Sequence, residues 1–189
     1  MAKDSQALEQ ELIATVAEKT GHTLDEWMGI IRETGLDKPK PIHSYLKENH
    51  KLNHLQATFI MGIYMNDGKP VYDYEVMVAN LFAGKEALLP IYEAVKTQII
   101  TKFPTVEFIP TKAYISIEDK KIFACATMTS KLIRVGLDLG DVPFGEYAQK
   151  AKSLGAMPNL THMIEVAGIA DVNDMFIGYV EQAYRRNHS

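Results

Sequence analysis

The chain has 189 residues, 47% hydrophobic and 23% charged, with a formal net charge of −4 and a pI near 5.9. That balance excludes a disordered chain and a strongly basic nucleic-acid binder, and it leaves room for one large domain or two small ones. A single cysteine, Cys125, excludes an internal disulfide and a cysteine-built zinc site.

The N-terminal stretch "MAKDSQALEQELIATVAEK" is charged and amphipathic and lacks the apolar run of a signal peptide. No stretch reaches the roughly 20 apolar residues of a spanning helix. The expectation is a soluble cytoplasmic protein without membrane contact. Leu8, Leu12, Ile13 and Val16 give the first helix an apolar stripe.

"HTLDEWMGIIRETG" predicts a second helix. Thr23 and Glu26 form a capping box, Leu24, Trp27, Met28 and Ile31 make the stripe, and Gly35 supplies the left-handed stop. A third, short helix follows "LDKPKP", with Pro41 in its first turn and Ile42, Tyr45 and Leu46 buried. Asn53 and Gln56 cap a fourth helix, with Leu55, Phe59, Ile60 and Ile63 pointing inward. "NDGKP" carries turn chemistry and marks a boundary. The division read from this pattern is a helical domain over 1–66, a linker over 67–80 and an α+β domain over 81–189.

"GKEALLPIYEAVKTQIITKFP" predicts a helix lined by Leu88, Ile91, Tyr92, Val95 and Ile99 and ended by Pro104; either its regular part begins at Pro90 or its first turn is kinked there. Three extended segments follow: 112–117, 121–128 and 131–139. Pairing Ile117 with Ile122 and Thr127 with Leu132 gathers Ala113, Ile115, Ile117, Ile122, Ala124, Ala126, Ile133, Val135 and Leu137 on one apolar face. The other face carries Lys112, Tyr114, Ser116, Phe123, Cys125, Thr127, Leu132, Arg134 and Gly136. In that register Tyr114, Cys125 and Arg134 form one row. After an excursion over 141–159, "THMIEVAGI" is a fourth strand with Ile164 and Val166 inward. Residues 171–187 close the chain as a helix capped by Asp171, with Val172, Met175, Phe176, Tyr179, Val180 and Ala183 packed. The fold class is therefore α+β: a helical bundle, then a mainly antiparallel sheet of about four strands with helices on one face.

Chemistry is sparse. His50 and His54 have the i, i+4 spacing of helical metal ligands, yet "HKLNH" lacks the glutamate base of a zincin, and a cap at Asn53 breaks the helix between them. They read as a polar joint between helices, and no metal or cofactor is expected. Lys38, Lys40, Lys47 and Lys51 face a single acid, Glu48, and could touch phosphates, although a solvated face is the commoner use of such a stripe. Lys112, Tyr114, Cys125 and Arg134, with Thr161 and His162 nearby, could hold an anion. Two readings stay open there: a pocket, or a face covered by 141–159. Cys125 could be activated by Arg134, while an inert buried thiol is the commoner role of a free cysteine. Glycine-rich phosphate loops and a GxSxG elbow are absent from the sequence.

The residues Thr20, Gly21, Leu24, Glu26, Trp27, Leu46, Lys47, His50, His54 and Ala57 resemble a bacterial helical domain of unknown function with a TGxxLxEW start and an EHGxGHxxA-like junction. Lys51 and Asn53 stand where that pattern has glycines. Residues 81–90 with Lys112, Tyr114, Phe123, Arg134, Gly136, Leu137, Thr161 and His162 are similar to a second uncharacterised domain. It often follows the first, also ends some restriction-type endonucleases, and is loosely labelled a predicted transport protein. The resemblance implies architecture rather than mechanism.

The leading expectation is a non-catalytic binding module for an anionic small molecule or a protein partner, with room for a homo-oligomer. The alternative is a nucleic-acid-associated accessory protein, and the third is a small enzyme using Cys125 or His162.

Overall fold

The computed structural model describes residues 5–154 and 159–188. The chain divides into two compact units, Met1–Asp73 and Tyr74–Ser189.

Four helices build the first unit: α1 (Ser5–Thr20), α2 (Leu24–Glu33), α3 (Pro39–His50) and α4 (His54–Met65). Their apolar stripes meet in one core around Leu12, Val16, Trp27, Ile31, Ile42, Leu46, Ile60 and Ile63. Trp27 is 1% exposed, and its indole N–H donates to Thr20 Oγ1 at 2.8 Å. Such a buried donor needs that partner.

The expected stops and starts are in place. Thr23 and Glu26 close a reciprocal capping box, and Gly35 sits at φ +69°. Asn53 Oδ1 accepts the Gln56 N–H at 2.9 Å, and Gln56 Oε1 accepts the Asn53 N–H at 3.0 Å. Pro39 takes the first helical position of α3, and Pro41 lies in the same first turn. Leu55 is 45% exposed, contrary to expectation. It stands on the α4 surface opposite Ala57, which with Ile60 and Ile63 faces the core.

In the second unit, α5 (Tyr74–Leu81) occupies much of the stretch read as a linker. A 3-10 turn at Glu86–Leu88 leads into α6 (Leu89–Lys102), and α7 (Asp174–His188) closes the unit. Between them lie β1 (Glu107–Pro110), β2 (Ile115–Asp119), β3 (Lys121–Met128), β4 (Ile133–Leu137), β5 (Gln149–Lys150) and β6 (His162–Val166). They form one six-stranded sheet in the order β1-β2-β3-β4-β6-β5, antiparallel throughout. The α+β class stands. The two strands beyond the expected four are the short outer ones, β1 and β5.

One sheet face holds Ile115, Ile117, Ala124, Ala126, Ile133, Val135, Leu137, Ile164 and Val166. Ile91, Tyr92, Val95 and Ile99 of α6 and Phe176, Val180 and Ala183 of α7 join them in one core. Four placements in this unit differ from expectation. Asn173, not Asp171, caps α7: its Oδ1 accepts the Met175 and Phe176 N–H groups at 3.0 and 3.1 Å. Asp171 Oδ2 instead accepts from Ala167 and Gly168. Met175 is 58% exposed. Ala113 is exposed because Thr111 Oγ1 takes the N–H groups of Ala113 and Tyr114, which folds 111–114 into a turn before β2.

The fourth correction is a β-bulge. Ile117 pairs with Ala124 but Glu118 pairs with Ile122, which leaves Phe123 as the extra residue. Phe123 therefore turns into the core at 0% exposure and Ile122 turns out at 40%, the reverse of the expected placement.

Candidate functional site

The site question centres on the sheet face opposite the helices. Ile109, Ser116, Cys125, Gly136 and Met163 form one cross-strand row there. The next row contains Thr127, Arg134 and Glu165. Both hairpins are paired two positions away from the expected register: Ile117 meets Ala124 and Thr127 meets Arg134. Away from the bulge, an even step keeps each paired residue on its face but moves it about 7 Å along its neighbour. Cys125 is thus flanked by Ser116 and Gly136, not by Tyr114 and Arg134.

Turn chemistry decides that step. Thr129 N–H donates to Leu132 O at 2.9 Å, and Thr129 Oγ1 accepts from Lys131 and Leu132. This threonine turn leaves Ser130 and Lys131 as a two-residue tip. In the other hairpin, Asp119 faces Lys121 across Lys120, whose φ is +64°.

The excursion after β4 comes back over this face. Residues 155–158 of it lie outside the described residues. Leu154 and Leu160, with Met163 on β6, close over Cys125, and Tyr114 and Ala151 pack at the margin. A Cβ on Gly136 would lie 2.5 Å from Leu154 Cδ1 and 3.1 Å from Cys125 Sγ, so the close approach of the excursion requires this glycine. Cys125 is 0% exposed, and burial pushes its thiol up to about 11, only partly offset by the Gly136 N–H. At neutral pH it is a protonated, enclosed thiol, not a nucleophile.

Arg134 remains accessible. Its Nε donates to Glu165 Oε1 at 3.1 Å, and its side chain is 23% exposed. Among the described residues its two terminal nitrogens have no further partner. Thr127, directly across the strand, has a buried Oγ1 with no hydrogen-bond partner among the described residues. Tyr114 precedes the first paired residue of β2, at the position that continues the register opposite Thr127. Lys112 is exposed in the 111–114 turn.

Thr161 and His162 are not part of this cluster. His162 has the parity of Ile164 and Val166, pairs with Leu137 and is 0% exposed. Its Nε2 lies 2.8 Å from Val142 O, which only an N–H can satisfy, so Nδ1 accepts from Thr161 Oγ1 at 2.7 Å. Phe144 rests on the same ring at 4.6 Å. With both nitrogens engaged, this imidazole anchors the 140–144 loop to β6.

In the first unit, Lys38 precedes α3, Lys40 lies in its first turn, Lys47 in its last, and Lys51 caps it at φ +55°. All four are exposed, with no ion-pair partner among the described residues. Lys40 and Lys47, seven apart, share a helix face. The nearby histidines belong to the joint. His50 touches Trp27 at 5.0 Å and Tyr45 at 5.2 Å, with Nε2 3.2 Å from the Tyr45 hydroxyl, and His43 meets His54 at 5.0 Å. No group of three or more metal-type side chains gathers among the described residues, and no helix there is long and apolar enough to cross a membrane.

Sequence reasoning missed Glu165 and Thr127 as the neighbours of Arg134. A signal existed for Glu165: it alternates with the inward Ile164 and Val166, so it had to share the outer face.

A helical N-terminal unit followed by an α+β unit with a fully antiparallel sheet defines the class. Residues 78–187 match the model of the family described as Domain of unknown function (DUF5655), and the chain belongs to that family. Residues 9–65 match the Domain of unknown function (DUF4287). No curated protein and no solved structure matches the chain.

Proposed function

We propose that the chain is a non-catalytic binding module that takes an anionic ligand on the outer sheet face of its second unit. Arg134 is its anchor, with Thr127, Tyr114 and Lys112 around it. One observation carries the reading: among the described residues Glu165 holds Arg134 through Nε alone, and neither its two terminal nitrogens nor the Thr127 hydroxyl across the strand has a partner. A guanidinium fixed in this way presents its other edge as a fork for a carboxylate or phosphate. The enclosed Cys125 thiol and the fully engaged His162 imidazole favour binding over catalysis. The working division is a helical domain over 1–66, a linker over 67–80 and an α+β domain over 81–189, in the bacterial setting that the resemblance implies and the cytoplasmic one that a lone cysteine suits.

The test is a thermal-shift screen of metabolite anions, because a ligand that binds only the folded state raises its melting temperature. Arg134→Ala should erase any shift found. A library that never moves the wild-type melting temperature refutes the proposal.

A second reading is contact with nucleic acid. It rests on Lys38, Lys40, Lys47 and Lys51 along α3, exposed and without an ion-pair partner among the described residues. Binding to generic DNA or RNA should then weaken with salt and fall on joint replacement of Lys47 and Lys51 by alanine.

A further inference from the structure

The first unit contains a cleft of about 830 Å³ between α2, the 35–37 loop and the end of α4. This lies within the roughly 300–1,000 Å³ of ordinary ligand sites. Its walls hold three carboxylates, Asp25, Asp37 and Asp67, and one guanidinium, Arg32. All four are exposed, and none has a side-chain hydrogen bond or ion pair among the described residues, so each is open to a ligand. Apolar and aromatic surface completes the lining: Met28 and Leu36, with the half-exposed Met65 and the Tyr64 ring.

Each group calls for a different part of a ligand. Carboxylates take ammonium or guanidinium groups, an unpaired arginine takes a carboxylate, and the thioethers and ring take an alkyl chain. Three negative charges against one positive charge fit a ligand with more cations than anions. From this complementarity we infer that the cleft binds a basic amino acid, carrying an α-carboxylate and a cation on an alkyl chain. The inference is independent of the sheet face proposed above. The same chemistry has two sources, the free amino acid and the C-terminal lysine or arginine of a peptide.

Calorimetric titration of the full chain separates them. The probes are L-lysine, the peptide Gly-Gly-Lys, the C-terminal amide of that peptide, and n-butylamine. Saturable binding of L-lysine or of Gly-Gly-Lys is expected, and whichever binds tighter identifies the source. The amide and butylamine should bind about tenfold more weakly, because each lacks the carboxylate for Arg32. Asp37→Asn, Asp67→Asn and Arg32→Gln should each weaken binding by a similar factor. All three sites are exposed, and asparagine tolerates the φ of +55° at position 67, so the variants should fold. The inference is overturned if neither lysine nor the peptide binds at millimolar concentration, if the amide binds as well as the free carboxylate, or if all three variants bind unchanged.

Discussion

The carboxylate of Glu9 accepts the backbone N–H of Tyr72 at 2.8 Å, across a chain separation of 63 positions. Its other oxygen accepts the Val71 N–H at 2.9 Å, and Glu9 is 1% exposed. A buried charge on α1 thus fastens the segment that follows α4.

Glu9→Ala should destabilise the first unit by about 2–3 kcal/mol, since it removes two charge-assisted bonds and leaves two N–H groups without acceptors. Glu9→Gln keeps one acceptor and should lose about half as much. Trp27, the chain's one tryptophan, lies in that core, so urea unfolding followed by its fluorescence reads the change.

Gly136→Ala should cost about 1–3 kcal/mol, the usual range for overpacking. The new methyl meets Leu154 and Cys125. Adding Leu154→Ala should return part of that loss. A double-mutant cycle in which the two changes are simply additive would show that the clash is absent.

Lys51→Gly should stabilise by about 0.5–1 kcal/mol. Lys51 holds φ +55° at the end of α3, where a side chain is disfavoured and glycine is not. Thermal melting of the two proteins decides the sign.

The weakened acidity of the buried thiol gives a pH window. In the unfolded chain Cys125 ionises near its ordinary value, while in the fold burial holds the proton up to about 11. Below the ordinary value both states are protonated and the thiol contributes no slope. Above it the unfolded chain alone releases the proton, so stability should fall as pH rises toward 11. Cys125→Ala should flatten this contribution, leaving that of Tyr92, whose hydroxyl burial also shifts upward. Native protein at pH 7 should leave a thiol reagent unconsumed until denaturant is added.

The legible parts of this fold were those written in periodicity and caps. The Thr23 and Asn53 boxes, the α6 stripe, the faces of β2 and β4 and that of β3 from Ala124 onward follow from local rules, and the structure has them. Spacing along one strand says nothing about how far a turn slides it past its neighbour. The Thr129 side chain sets that distance between β3 and β4 by bonding its own turn, so Arg134 moved out of the expected row with Cys125 while both stayed on the outer face. Phe123 and Ile122 exchanged places for a related reason: a bulge inserts one residue and reverses the alternation, and neither side chain announces it. The candidate site was legible as a set of outward residues. Its closest neighbours, Glu165 and Thr127, depended on register.

β1 is four residues long, begins with Glu107, ends with Pro110 and has α5 against it, while β5 at the other side has two residues. Proline offers no donor, a charge resists an apolar neighbour, and two residues cannot hold a strand. The margins of this sheet therefore discourage growth into fibrils, and concentrated solutions should resist β-type aggregation.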